Sequence, residues 1–113
     1  MLVQVNTDNT LSGTDQLTGS LEARIQHDIG RFADWITRVE VHFSDESARA
    51  GEAGGVRCSI EARIANRPPE TVNDKGPNLE QAFAGAIKKL RRTLDSSLGR
   101  VTNHKGGASI RGT

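Results

Sequence analysis

TRVEVHF, at residues 37–43, and VRCSIEARIA, at residues 56–65, are the two stretches of sequence that decide the fold of this chain. In both, apolar and polar residues alternate, which is typical of a β-strand with one buried face. The residues that share the apolar faces are Val39, Val41, Phe43, Val56, Cys58, Ile60, Ala62 and Ile64. The polar, Gly- and Ala-rich link at residues 44–55 favours an antiparallel hairpin.

The segments before and after this hairpin have apolar residues at helical spacing. Within residues 12–36, apolar residues recur at steps close to four, which indicates an amphipathic helix. Its stripe consists of Leu17, Leu21, Ile25, Phe32 and Ile36, and its candidate caps are Ser12, Thr14 and Asp15. A second helix lies within residues 76–101, with Asn78 as its predicted N-cap. Its apolar face consists of Leu79, Phe83, Ala86, Ile87, Leu90, Leu94 and Val101.

Two weaker strands complete the predicted sheet. Residues 2–6, LVQVN, form a short strand before the first helix, and residues 71–76 form a fourth strand. Pro68 and Pro69 restrict that fourth strand to a sheet edge, because proline cannot donate a ladder hydrogen bond. The element order is therefore β-α-β-β-β-α, a two-layer α+β fold. Each strand has one apolar face, so both helices must cover the same face of the four-stranded sheet.

The domain is predicted to span residues 1–101, a length that suits one domain with a modest core. The remaining residues, 102–113, read TNHKGGASIRGT and show no hydrophobic periodicity. We therefore predict a flexible, basic, Gly-rich tail over residues 102–113.

Charge is distributed unevenly along the chain, although the formal net charge is only +1. Residues 1–77 contain eight Lys and Arg against twelve Asp and Glu, whereas residues 78–113 contain seven against two. The net charges of the two parts are therefore −4 and +5. This asymmetry says more about the possible partners than the net charge of the whole chain does.

Four cations lie within five residues of the second predicted helix, at Lys88, Lys89, Arg91 and Arg92. Because successive helix residues are rotated by about 100°, Lys88 and Arg92 lie opposite the apolar face, with Lys89 and Arg91 on its two flanks. Like charges at this spacing repel each other, and the only acid within the next turn is Asp95. The cluster is therefore a candidate binding surface for an anionic partner.

A second basic row follows one edge of the first helix, at Arg24, His27 and Arg31. If the two helices lie side by side, we expect this row to join the cluster in one electropositive surface. Charge pattern alone supports an ordinary solvated helix surface equally well, because cations near a helix C-terminus also complement its dipole.

Two glycines fall on the outward faces of the predicted helices, at Gly30 and Gly85. Each costs about 1 kcal/mol relative to alanine in a helix interior. Neutral drift explains them better than close approach of a nucleic-acid backbone.

Residues that could support catalysis or metal binding do not converge in the predicted fold. Cys58 faces inward on its strand and His42 faces outward on the neighbouring strand, so they cannot form a thiolate–imidazolium pair. His27 and Asp28 are adjacent on a helix and diverge by about 100°. The three histidines lack metal-ligand spacing. We therefore expect no enzyme activity, no cofactor, no metal and no small-molecule substrate.

The sequence predicts a cytoplasmic protein. A single cysteine excludes an internal disulfide and fits a reducing compartment. The N-terminal residues MLVQVNTDNT lack the features of a signal peptide, and no apolar run is long enough to span a bilayer. We expect no membrane partner.

Two motifs, in this element order, resemble a known family. RFADWITRVEV, at residues 31–41, carries an aromatic residue, Asp and Ile before the second strand, at Phe32, Asp34 and Ile36. AFAGAIKKLRRTL, at residues 82–94, carries a Lys-Leu-x-Arg-x-Leu run, at Lys89, Leu90, Arg92 and Leu94. Together they resemble the ribosome hibernation-promoting factor / ribosome-associated inhibitor A family, over about residues 2–95.

The resemblance implies a fold similar to double-stranded-RNA-binding domains. It also implies binding to ribosomal RNA in the mRNA and tRNA channel of the small subunit, which blocks translation in stationary phase or stress. Lys89 and Arg92 are the positions that match the family's basic residues, whereas Lys88 and Arg91 rest on the charge pattern alone. The chain lacks the C-terminal dimerisation domain of the family's long forms, so we do not expect it to pair ribosomes by itself. Its oligomeric state stays open.

Two alternatives remain from the sequence. The same fold could bind structured RNA in general, without preference for the ribosome. It could instead be a protein-interaction module with merely solvated cations, using an edge strand or the polar sheet face. The polar residues of that face are Glu40, His42, Arg57, Glu61 and Arg63.

Overall fold

The computed structural model describes residues 1–7, 15–45 and 55–105 of the 113-residue chain. The elements in chain order are β1 (Leu2–Thr7), α1 (Asp15–Ile29), a 3₁₀ turn (Gly30–Phe32), β2 (Ile36–Asp45), β3 (Val56–Ile64), β4 (Glu70–Gly76) and α2 (Leu79–Lys105). The sheet order is β1-β2-β3-β4, with β1 parallel to β2 and the other neighbours antiparallel. The structure confirms the predicted two-layer α+β fold.

The core lies between the sheet and the two helices. Alternation along β2 and β3 directs one set of side chains inward, where both helices cover them. The fully buried residues include Val39, Val41, Phe43, Cys58 and Ile60 from the sheet and Ile25, Ile29, Phe83, Ile87, Leu90, Leu94 and Leu98 from the helices. Each large apolar side chain that leaves water contributes about 1.5–3 kcal/mol. This burial determines which faces of the helices remain for solvent.

The strand β4 is an edge strand, as predicted. It pairs with β3 alone, over Glu70 to Gly76. The turn that leads into it contains Asn66, which has a positive φ of 63°. Asparagine tolerates this left-handed conformation better than most residues. Val72 packs against the core from β4, whereas Asp74 points toward α2.

The end of α1 differs from the prediction. The helix ends at Ile29, Gly30–Phe32 form a 3₁₀ turn, and Ile36 begins β2 rather than continuing the helical stripe. Glycine weakens the helix at this point, and Ile36 pairs instead with Ile64 of β3. Phe32 is still fully buried, because the turn keeps it on the core side.

The start of α2 is capped as predicted. The Asn78 side-chain oxygen accepts a hydrogen bond from the Gln81 backbone N–H at 2.9 Å. The helix continues to Lys105, four residues past the predicted domain boundary at residue 101. Residues 106–113 of the predicted tail, residues 46–54 of the hairpin link and the candidate caps Ser12 and Thr14 lie outside the described residues. Across the described ranges, no helix combines the length and apolar character that crossing a membrane requires.

Candidate nucleic-acid interface

The outward face of α2 presents the four clustered cations to solvent. On its inward face, Phe83, Ile87, Leu90 and Leu94 are exposed by no more than 1%. Since that stripe fixes the rotation of the helix, the positions opposite it point away from the sheet and others lie on its flanks. The exposed residues at these positions are Lys88, Lys89, Arg91 and Arg92.

Lys89 differs from the other three because the protein itself binds its ammonium group. Its Nζ donates a hydrogen bond to the backbone oxygen of Asn73 at 3.0 Å and lies 3.5 Å from Oδ1 of Asp74. Both acceptors belong to β4. Lys89 therefore ties the flank of α2 to the edge strand, and part of its charge is neutralised within the domain.

Gly85 makes the approach of Asp74 to α2 possible. A Cβ atom at this position would lie 1.9 Å from Oδ2 of Asp74 and 2.8 Å from its Cγ. Gly85 therefore faces β4, where the missing Cβ leaves space for the carboxylate, and the prediction that it lies on an outward helix face is wrong. At Gly30, by contrast, a Cβ would come no closer than 3.4 Å to Gln26.

Lys88, Arg91 and Arg92 form a group that we call the free cations. Within the part of the chain that the structure describes, none of the three side chains has a hydrogen bond or an ion pair. Lys88 and Arg92 are one helical turn apart, at the i, i+4 spacing that places side chains beside each other. Their charges are therefore available to an external anion without the loss of an internal partner.

The basic row of α1 lies beside α2, as the predicted joining of the two surfaces requires. The Arg24 guanidinium lies 5.8 Å from the centroid of the Phe83 ring. At the other end of the row, Nη2 of Arg31 donates to Oδ1 of Asp95 at 2.7 Å. Both arginines thus reach α2, and His27 stands between them on α1.

The basic side chains of this row are partly paired with carboxylates. Nε of Arg24 lies 3.7 Å from Oδ2 of Asp28, and Nδ1 of His27 lies 3.0 Å from Oδ1 of the same residue. Arg31 is paired with Asp95. Exposed pairs of this kind stabilise a fold by about 0–1 kcal/mol. Six of the seven predicted residues therefore lie on the two helices, and Arg31 lies in the 3₁₀ turn after α1. The seven divide into the free cations and four residues that have internal partners.

The sequence reasoning missed one further cation beside α2. Arg67 is exposed in the turn before β4, and its Nη1 donates to the backbone oxygen of Ser97 at 2.7 Å. The turn at Asn66 brings it there. The sequence offers only a weak signal for this contact, namely the turn residues around Arg67.

Neither Phe nor Trp offers a fully exposed ring on which a nucleic-acid base could stack. The chain contains three Phe, one Trp and no Tyr. Phe32, Phe43 and Phe83 are buried, and Trp35 is half-buried and packs against the core. Proteins that bind single strands typically use exposed aromatic platforms. This surface therefore offers charge to a phosphate backbone rather than platforms to bases.

Cys58 lies inward and His42 is exposed on the opposite side of the sheet, as predicted. Burial raises the pKa of the Cys58 thiol to about 12, and the nearby Asp74 carboxylate acts in the same direction. The thiol is therefore protonated at neutral pH and is not a nucleophile. In the described residues, no three side chains of His, Cys, Asp or Glu are grouped to hold a metal ion.

The uncovered face of the sheet is polar and pairs its charges locally. Nε of Arg38 lies 3.0 Å from Oε2 of Glu40, and Nε of Arg63 lies 3.5 Å from Oε1 of Glu61. Charges that are neutralised within the same face attract an external polyanion less than the free cations do.

Comparison with known families and with curated protein sequences gives two findings. The family model described as sigma 54 modulation protein / S30EA ribosomal protein matches residues 7–102. No curated protein sequence matches the chain significantly.

Solved structures share the fold at low sequence identity. The N-terminal domain of Thermus thermophilus Protein Y has a TM-score of 0.67 and 20% identity, with 85% of this chain and 98% of that chain covered. A ribosomal subunit interface protein from Coxiella burnetii has a TM-score of 0.69 and 12% identity, with 88% and 99% covered. These similarities support the architecture of the domain, whose sequence has diverged widely.

Proposed function

The chain belongs to the sigma 54 modulation protein / S30EA ribosomal protein family, and on that premise we propose that it is a ribosome-associated translation inhibitor of the hibernation-factor type. It binds ribosomal RNA of the small subunit through the outward face of α2 and the neighbouring row of α1. The similar Coxiella burnetii protein is described as a ribosomal subunit interface protein, which supports the same location for this chain.

The observation that carries the proposal is the group of free cations. Lys88, Arg91 and Arg92 are exposed on one helix, and no carboxylate in the described part of the chain pairs with them. An RNA backbone supplies a dense row of phosphates, and cations that neutralise it release bound counterions. A cluster of cations without internal partners gains more electrostatic stabilisation from an anionic surface than a cluster that is already paired.

The mechanism follows from charge and size. Phosphate contacts fix the domain on the RNA but carry no sequence information by themselves. A domain with extents of 53 × 28 × 22 Å that occupies the mRNA and tRNA channel excludes those ligands by volume. Inhibition in stationary phase or stress is thus steric occlusion, with no reaction catalysed.

Charge removal on α2 tests the proposal. The variant K88Q/R91Q/R92Q should remain folded, because all three side chains are exposed, and should fail to sediment with ribosomes in a sucrose gradient. The matched control R57Q/R63Q/K75Q removes the same charge from the opposite, uncovered face of the sheet and should still sediment.

The outcome also separates the alternatives. Binding that is lost only in the sheet-face control would favour a protein-interaction role for that face. Binding to ribosomes that added duplex RNA abolishes would favour a general structured-RNA binder. Full ribosome binding by the α2 variant would overturn the proposed interface.

A further inference from the structure

The ion pair between Arg31 and Asp95 joins two elements that are distant in sequence, at the seam between the 3₁₀ turn and α2. Nη2 of Arg31 lies 2.7 Å from Oδ1 of Asp95, and their side chains are 58% and 44% exposed. Solvent, and therefore another anion, can reach both partners. The carboxylate is the only acid within one turn of the free cations on their C-terminal side.

The Arg31 guanidinium is held in place by more than its carboxylate. Its Cζ lies 4.6 Å from the centroid of the Phe32 ring. Phe32 is fully buried, so the ring is fixed by the core. A guanidinium that is stacked on a rigid ring loses less freedom when it binds an anion. Arg31 therefore presents its donors in one orientation at the edge of the basic surface.

We propose that Asp95 acts as an internal competitor of backbone phosphate for Arg31, and so limits the affinity of the domain for RNA. This inference rests on the proposed function and adds the residue that sets its strength. A carboxylate and a phosphate both accept the parallel N–H groups of arginine. An RNA phosphate at this seam must therefore displace the Asp95 carboxylate or be repelled by it.

Helix geometry places Asp95 where this competition matters. Arg91 and Asp95 are four residues apart on α2, so their side chains lie on the same flank of the helix. That flank faces the 3₁₀ turn that follows α1, because Asp95 contacts Arg31 there. A phosphate that approaches Arg91 from this side also meets the negative charge of Asp95. The acid consequently weakens two potential phosphate contacts at once.

The test measures ribosome affinity of D95N. Asparagine keeps the size of the side chain and removes its charge. We expect affinity to rise roughly two- to fivefold, the factor that corresponds to one exposed ion pair. The dependence of log K on log salt should steepen by about 0.7–0.9, as expected for one more phosphate contact. The conservative variant D95E, which keeps the competing charge, should bind like the wild type.

The matched control is E61Q. Glu61 also pairs with an arginine on an exposed surface, but on the uncovered face of the sheet. The E61Q substitution removes the same charge as D95N and should leave ribosome affinity unchanged. The variants R31Q and R31Q/D95N complete a double-mutant cycle, in which D95N should give a clearly smaller gain once Arg31 is absent, because only the contact of Arg91 is then relieved. Thermal unfolding of each variant verifies that the fold is retained.

Three results would overturn the inference while the proposed function stands: D95N binding like the wild type, E61Q gaining as much as D95N, or the full D95N gain persisting without Arg31. A wild-type protein that does not bind ribosomes at all would overturn the proposed function and this inference with it.

Discussion

Replacement of Gly85 by alanine should lower the free energy of unfolding in the wild type and raise it when the Asp74 side chain has been shortened. In the wild type, the added Cβ would lie 1.9 Å from Oδ2, 2.8 Å from Cγ and 3.4 Å from Cβ of Asp74. After D74A, only the last of these atoms remains, at an ordinary van der Waals distance. The sign of the effect therefore depends on one neighbouring side chain.

The magnitude follows from two opposing contributions. Forcing extra atoms into a packed contact costs about 1–3 kcal/mol, while alanine in place of glycine stabilises a helix interior by about 1 kcal/mol. G85A should thus destabilise the wild type by about 1 kcal/mol and stabilise D74A by up to about 1 kcal/mol. The coupling between the two sites is about 2 kcal/mol. In the wild type, Asp74 must also move away from Lys89, which it approaches to 3.5 Å.

Urea unfolding of the four proteins in this cycle, followed by far-UV circular dichroism, gives each free energy. Thermal unfolding is a second readout, in which 1 kcal/mol corresponds to roughly 4 °C for a domain of this size. Gly30 supplies the control, because a Cβ there meets nothing closer than 3.4 Å. If G85A stabilised the wild type and D74A equally, the close approach of Asp74 to α2 would be refuted.

Three further predictions concern the fold. N78A should lose about 1 kcal/mol of stability by thermal unfolding, because its side chain caps the Gln81 N–H, whereas N78D should lose little; equal losses would contradict the cap. L94A should lose about 2–5 kcal/mol and R92A less than about 0.5 kcal/mol, since Leu94 is buried and Arg92 exposed; similar losses in urea would contradict the assigned helix faces. Cys58 should resist a thiol reagent at pH 8 until the protein unfolds. Because its folded pKa of about 12 exceeds the ordinary 9.0, its stabilising contribution should be complete below pH 9 and disappear as pH rises through 12. Rapid labelling of the native protein would contradict its burial.

The sheet, the helix faces and the exposure of the cations were predictable because they follow from periodicity. Alternation along residues 37–43 and 56–65 placed β2 and β3 correctly, and the stripe around Phe83 and Leu94 determined which side of α2 points outward. These patterns extend over several turns or strand residues, so one face is repeatedly apolar. Local sequence therefore contained enough information to orient each element.

The pairing of the cations was not predictable, because it depends on how distant elements meet. Arg31 and Asp95 are 64 residues apart, and Lys89 contacts a strand that begins about 20 residues earlier. No periodic pattern encodes such contacts.

At Ile36, a periodic pattern was present but predicted the wrong element. The spacing of Ile36 from Phe32 fitted a helix, but pairing with Ile64 makes Ile36 the first residue of β2. Tertiary pairing outweighed local spacing at that position.

The salt dependence of ribosome binding tests the central claim most directly, namely that the free cations Lys88, Arg91 and Arg92 contact RNA phosphates. For the wild type, the slope of log K against log salt should be about −3 to −5, as expected for roughly four to six phosphate contacts. In K88Q/R91Q/R92Q, three lost contacts should reduce the steepness of this slope by about 2–3. A flat dependence in the wild type, or an unchanged slope in the variant, would contradict the account.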